Sequence, residues 1–259
     1  MATPMPLRIF EHQLVAYRRL WRGTVVVSFA QPVLFLLAFG VGIGALIDED
    51  VAASQRIGGV PYLAFVAPGL LASACMVTAT VDATWPVMSA IKWSRQYHGM
   101  LASPLTSTDL VHGQVLWIAF RSMITAVAVG LVLLFPDDTR SVGLFGSVFS
   151  GVLTALAFGL PISAWTASVE RETLFFGLQR FVVTPMYLFA GAMFPISQLP
   201  RPFRAIAYVT PLYHGVALSR GFALGTIDSA AFVHVSVLCA FIVVGYLWAR
   251  HTYPRRLSP

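Results

Sequence analysis

Charge is what this sequence has least of. Asp, Glu, Lys and Arg make up 11% of its 259 residues, while 57% are hydrophobic. Soluble domains carry about a quarter charged residues, so this composition excludes a water-soluble globule and reads as a polytopic membrane protein. The cationic side chains are nearly all arginine, with Lys92 the single lysine. No basic cluster interleaves with aromatics, which argues against a nucleic-acid partner. Cysteine is scarce too. Cys75 and Cys239 both lie in apolar runs, where a lone thiol packs as a small hydrophobe, so neither a disulfide nor a metal framework is expected. The six histidines (His12, His98, His112, His214, His234 and His251) are scattered without ligand spacing. The motifs GxxxxGK[ST], HExxH and GxSxG are missing. A chain without a phosphate loop has no visible means of hydrolysing ATP, so uphill work would draw on a partner or an ion gradient. No internal repeat is found, which counts against carriers built from inverted repeats.

What is present is long apolar runs. A spanning helix needs about 20 mostly apolar residues. Six segments qualify: Thr24–Ile47, Pro61–Val81, Val115–Phe135, Val142–Val169, Leu174–Phe194 and Ala230–Trp248. The first has no charge and is too long for the apolar core of a signal peptide, so it reads as a retained span. Before it, Leu7, Phe10, Leu14, Tyr17 and Trp21 share one side of a helical wheel, with Arg8, His12 and Arg19 away from it. Residues 1–23 are thus expected to form an amphipathic helix in the interface, next to anionic lipid headgroups. With the N-terminus inside, ten basic residues fall in cytoplasmic segments (Arg8, Arg18, Arg19, Arg22, Lys92, Arg95, Arg171, Arg250, Arg255 and Arg256). Five fall outside (Arg56, Arg140, Arg201, Arg204 and Arg220), while Arg121 and Arg180 are expected to snorkel from cytoplasmic helix ends. This bias places both termini in the cytoplasm. Gly40 and Gly44 form a GxxxG that permits close helix packing.

Two stretches interrupt the spans. Phe181–Gly225 breaks at Gly191, Pro195 and Pro211, and its second apolar run is too short to cross. Broken backbone at membrane depth is tolerated only against protein or a wet cavity, so residues 195–228 read as an outer re-entrant hairpin. The other stretch, Trp85–Gln114, is more polar. It carries a short helix at Tyr97–Ala102, a turn at Ser103-Pro104, and Ser107 or Thr108 as N-cap before Asp109. That short helix either fits a groove on a cytoplasmic partner or is an ordinary loop. Asp82, at the cytoplasmic end of the second span, would be the cation site of an ion-coupled carrier, or else pair with Lys92 or Arg95. His214 with Arg220 is the candidate pair for a lipid-modifying enzyme. The aromatics Phe181, Tyr187, Phe189, Phe194 and Tyr213 either line a path or pack.

HGMLASPLTSTDLVHGQV resembles the cytoplasmic loop of ABC-2 type transport permeases. There a Leu-(Ala/Val)-x-Pro-Leu-Thr/Ser element precedes an Asp-Leu/Ile-Val helix start. TPMYLFAGAMFPISQLPRPFRAIAYVTPLYHGVALSRGFALG resembles the same family through its Gly-x-x-Phe-Pro, its Leu-Pro turn and its closing Pro-Leu-x-His, and GGVPYLAFVAPGLLA fits at the second span. Within the family, the nodulation-factor exporter and drug-resistance permease branch is the nearest match. The resemblance covers the whole chain and implies an all-α fold in one domain, 1–259. It implies six spans, the interfacial helix at 1–23, a cytoplasmic coupling loop at 85–114 and the hairpin at 195–228. It further implies an exporter permease of a bacterial inner membrane for an amphiphilic lipid, glycolipid, lipo-oligosaccharide or drug. A second permease copy and two ATP-binding cassette subunits would be its partners, the latter holding ATP and Mg; no cofactor or metal is expected in this chain. Tyr97, His98, Gly99, Met100, Leu101, Pro104 and Asp109 would couple to the ATPase. Phe181, Tyr187, Phe189, Phe194, Pro195, Tyr213 and His214 would line the path or gate. Glu170-Arg171-Glu172 matches no family role.

Overall fold

A computed structural model describes residues 5–258, excepting side chains at 20–22, 24–29, 31–32, 36, 39–41, 45–46 and 51–53. Among the described residues the fold is all-helical. Its helices are α1 (Met5–Phe35), α2 (Gly44–Glu49), α3 (Val51–Arg56), α4 (Tyr62–Met88), α5 (Gln96–Leu101) and α6 (Ser107–Val132). They continue with α7 (Leu144–Ser168), α8 (Leu174–Leu178), α9 (Thr184–Phe189), α10 (Arg201–Val209), α11 (Pro211–Leu224) and α12 (Ala230–Leu257).

Among the described residues, four helices are long and apolar enough to cross a membrane: α4 with its π-helical extension to Trp93, α6, α7 and α12. They coincide with four of the six expected spans; α4, α6 and α12 run past them at the expected inner end, while α7 ends at Ser168. Of the stretch expected as a cytoplasmic loop, 85–114, only residues 94–95 and 102–106 lie outside helices. The fifth expected span, Leu174–Phe194, is shorter than anticipated. Its helical part, Leu174–Phe189, is interrupted by a wider π turn at Gln179–Val183. Sixteen residues rise about 24 Å, short of a hydrocarbon core of about 30 Å. Gly191 stops it, with φ of +83°, a left-handed conformation that glycine adopts without a Cβ penalty.

The first expected span lies largely outside the described side chains, as does Gly40 of the GxxxG pair. Its backbone is helical and joins the expected interfacial helix without a break, because α1 runs from Met5 to Phe35 and π turns carry it into α2. Part of the N-terminal apolar surface meets protein. Phe10 packs edge-on against Phe120 at 5.3 Å and near Trp117 at 6.4 Å. Ile9, outside the expected stripe, is fully buried against Gly113 of α6.

Among the described residues the core has two large centres and two small ones, the latter around Leu218 and Leu238 and around Ile196 and Leu199. Around α4, α6, α7 and α11 the largest cluster gathers Leu71, Met76, Ile118, Leu133, Leu160 and Leu212. A second, at the expected inner end, joins Ile9, Ile91, Tyr97, Leu110, Tyr253 and Leu257, and so ties α1, α4, α5, α6 and α12 together.

Candidate functional site

At the inner end, Arg95 adopts a left-handed backbone (φ +49°), and α5 turns off from α4 there. The helix spans Gln96–Leu101, close to the expected Tyr97–Ala102. Its two sides differ. Tyr97 is buried and its ring lies 6.0 Å from that of Tyr253, which also shares a 2.7 Å hydrogen bond with Ser163. Burial pushes the Tyr97 hydroxyl well above its ordinary pKa. Met100 and Leu101 rest partly buried on the same cluster. His98, Gly99 and Pro104 face outward, exposed. Helix α6 is capped by Thr106, not by Ser107 or Thr108 as expected. Thr106 Oγ1 accepts from the Asp109 amide at 3.2 Å, and Asp109 Oδ2 accepts from the Thr106 amide at 2.9 Å. This reciprocal box satisfies two free amides, and it wins because Asp109 stands three residues after a threonine. Asp109 therefore braces the corner.

The triplet 170–172 also acts here. Lys92 Nζ donates to Glu172 Oε2 at 3.0 Å and to the Glu170 carbonyl at 3.2 Å, and Arg256 reaches Glu170 Oε1 at 3.5 Å. The cluster fastens the ends of α4, α7 and α12. Asp82, expected to pair with Lys92 or Arg95, instead accepts from Arg121 Nε at 3.2 Å. The competing geometry is simple: Lys92 is held by the 170–172 loop, whereas Arg121 is at mid-helix, fifteenth of the 26 residues of α6, facing Asp82. Arg121 thus reaches a carboxylate within the bundle and does not snorkel from a helix end.

At the expected outer end, α11 is wedged into the bundle. Ser147 Oγ donates to the Ser219 carbonyl at 2.9 Å, Ser150 Oγ to the Gly215 carbonyl at 2.9 Å, and Ser219 Oγ to the Pro68 carbonyl at 3.0 Å. A Cβ on Gly215 would collide with Thr154 Oγ1, and one on Gly143 with the Phe222 carbonyl. Glycine lets these helices touch. The contacts run from Gly143, the residue before α7, along the helix to Thr154, about 16 Å at about 1.5 Å per residue. Arg220 secures the wedge. Its Nε donates to the Phe65 carbonyl at 3.0 Å, and its Nη2 to Gly191 at 2.8 Å and Ala192 at 3.3 Å. The guanidinium also lies 3.7 Å over the Phe65 ring.

The expected gate residues do not share one lining. Tyr213 and Pro195 border a cavity of about 410 Å³ beside Arg220 and His234. Phe194 and Pro195 border a separate one of about 340 Å³ with Tyr62 and Arg56. Tyr187 packs 6.0 Å from Phe35, Phe189 packs 5.6 Å from Phe203, and Phe181 is 77% exposed. His214 is buried and bonds His234 and the Tyr208 carbonyl, so it and Arg220 are committed to different partners. Sequence reasoning missed the serine–threonine face of α7, although Ser147, Ser150 and Thr154 recur at helical spacing. Among the described residues, no group of three His, Cys, Asp or Glu side chains is placed to hold a metal.

Comparison with known proteins agrees with this architecture. The family described as ABC-2 type transporter matches residues 8–224. Nodulation protein J of Rhizobium leguminosarum bv. viciae is 30% identical over 251 residues, covering 97% of this chain and 94% of that one. Nodulation protein J of Rhizobium meliloti (strain 1021) is 26% identical, over 98% and 94%. The inner membrane transport permease YadH of Escherichia coli (strain K12) is 23% identical, over 92% and 90%. With a family match over most of its length and relatives aligned nearly end to end, this chain belongs to the ABC-2 type transporter family.

Proposed function

We propose that the chain is the permease subunit of an ATP-driven exporter. Separate ATP-binding cassette subunits would hold ATP and Mg, and a second permease, identical or related, would complete the path. The observation that carries this reading is the two-sided corner at α5. His98, Gly99 and Pro104 are free to meet a partner, while Tyr97, Met100 and Leu101 tie the same short helix to α6 and α12. A surface open to a partner and fastened to the bundle is what transmission of force requires. On this reading both termini are cytoplasmic, residues 5–19 lie at the inner interface, and α10 with α11 forms the re-entrant hairpin that closes the outer end. The cargo is an amphiphile, met at that end by Tyr213 and Pro195 in the cavity beside Arg220.

The test uses the chain co-purified with an ATP-binding cassette subunit, in vesicles, with a fluorescent glycolipid as cargo. A proline inserted between Tyr97 and Met100 should stop export while ATP hydrolysis continues. Unchanged export in that variant overturns the coupling role. Export that survives exhaustion of ATP but stops when the ion gradient collapses overturns the ATP-driven reading.

A further inference from the structure

At the expected outer end, two histidines hold three helices together. His234 of α12 is half-buried and lines the cavity of about 410 Å³. His214 of α11 lies buried behind it, and the ring centres are 5.0 Å apart. The two Nδ1 atoms are 2.8 Å apart, and Nε2 of His214 is 2.9 Å from the carbonyl of Tyr208 in α10. These bonds fix where protons can be. The carbonyl only accepts, so His214 Nε2 carries a hydrogen, and Nδ1 of a neutral His214 accepts from Nδ1–H of His234. Among the described residues, Nε2 of His234 is then the one nitrogen of the four left without a hydrogen-bond partner.

We infer that His234 Nε2 takes up a single proton through this cavity, and that the proton tightens the hold of α12 on α11. Protonation turns His234 into an imidazolium while its Nδ1–H still meets His214. A hydrogen bond from a charged donor is shorter and roughly twice as strong as a neutral one. No second proton has a place. It would have to take the Nδ1 of His214 and set two cations 2.8 Å apart. The groups that face the pair are few. Tyr213 meets both rings edge-on, at 5.1 Å from His214 and 5.7 Å from His234, and Tyr208 in turn meets Tyr213 at 4.9 Å. Both phenols are neutral where a histidine titrates. Arg220 and Asp228 line the same cavity with opposite charges. The Arg220 guanidinium opposes uptake, but it is held by the carbonyls of Phe65, Gly191 and Ala192. Asp228 is exposed at the rim, with Oδ1 accepting from the Ala230 amide, and supplies the counter-charge. An ordinary histidine changes charge near pH 6.5, so the outer end is bound more firmly in mild acid than at neutrality.

The latch is tested on the full chain alone in phosphatidylcholine nanodiscs, without nucleotide or cargo, so its failure leaves the transport reading standing. Histidine rings are labelled with nitrogen-15 and followed by magnetic resonance from about pH 8 to about pH 5. His234 Nε2, identified by its loss in His234→Gln, should gain a hydrogen in one step, while His214 keeps a single bonded hydrogen throughout. Amide exchange across Leu212–Val216, corrected for the intrinsic rate, should slow about threefold or more from neutral to acid in wild type. In His234→Gln, which keeps a donor but binds no proton, it should not respond to pH. Titration of His214 in the same range, or a His234 ring that stays neutral throughout, overturns the single-proton site. Faster exchange in acid, or an unaltered pH response in His234→Gln, overturns the latch. The ring spectra of wild type alone decide the site if the variant folds poorly.

Discussion

Nδ1 of His214 lies 2.8 Å from Nδ1 of His234, and Nε2 of the same His214 lies 2.9 Å from the Tyr208 carbonyl. A carbonyl only accepts, so His214 Nε2 carries a proton. In a neutral ring its Nδ1 is then an acceptor, and the bridging proton belongs to His234. One proton thus joins the start of α11 to the start of α12. His234→Phe should leave the buried His214 Nδ1 unmet and cost about 1–3 kcal/mol, measured as a lower melting temperature. His234→Gln, which restores a donor, should recover part of the loss. Equal melting of the two variants would show that the contact is steric only.

Arg220 holds three carbonyls of two other segments, and its forked shape matters as much as its charge. Arg220→Lys keeps the charge but offers one compact ammonium. It should lose at least one bond, about 1.5–3 kcal/mol for a charged donor, and the turn at Gly191–Ala192 should exchange its amide hydrogens faster than in wild type. Wild-type exchange in this variant would mean the guanidinium is not the brace.

At the α7–α11 contact the two glycines should differ in whether they can be rescued. Gly215→Ala presses on the Thr154 side chain, and overpacking of this kind costs about 1–3 kcal/mol. Thr154→Gly in the same chain should recover most of it. Gly143→Ala meets the Phe222 backbone carbonyl, so no side-chain change opposite can relieve it. The melting temperatures of the double variant and of Gly143→Ala decide this.

These relationships mark how far the sequence could be read. Four expected spans reappear as long apolar helices because hydropathy and length alone decide them. The break at Gly191 and the short α5 were also legible, since glycine, proline and capping residues act locally. Pairings between distant segments were not. Asp82 had Lys92 and Arg95 nearby in sequence, yet its partner Arg121 is 39 residues away. The charges of Glu170 and Glu172 acquire meaning only once Lys92 and Arg256 are brought beside them. Tyr97 stands in a motif read as facing a partner, and only the fold turns it inward.

The Lys92–Glu172 contact predicts a pH dependence at the inner end. Its own backbone N–H and then the Lys92 ammonium hold Glu172 below its ordinary range. A depressed carboxyl contributes stability that is present above the unfolded value of about 4.3 and lost as pH falls through the folded one. Hydrogen exchange across Val169–Thr173 should therefore be slow at neutral pH, after correction for the intrinsic rate, and should rise in relative terms under acid conditions below that value. Lys92→Gln should weaken this dependence and raise exchange at neutral pH, with little change in global melting, because the pair is exposed. A protection profile in Lys92→Gln identical to wild type would assign the clamp elsewhere.

The corner at α5 supports the sharpest division between fold and function. Tyr97 is buried in the inner cluster, so Tyr97→Ala opens a cavity and should destabilise by about 3 kcal/mol or more. Any loss of transport there is ambiguous on its own. His98 and Pro104 are exposed, and exposed substitutions stay within about 0.5 kcal/mol. If these residues meet an ATP-binding subunit, His98→Glu and Pro104→Glu should leave melting unchanged while lowering export per ATP hydrolysed severalfold. Two measurements on each variant, melting of the chain and the ratio of export to hydrolysis in vesicles, separate the roles. Should the exposed variants export normally while Tyr97→Ala fails in both, α5 is a structural buttress and force enters the bundle at another point. Should they fail in the ratio alone, the outward face is where the partner pushes, and the Thr106–Asp109 box and the Tyr97–Tyr253 packing are what keep that push from being absorbed by a loop.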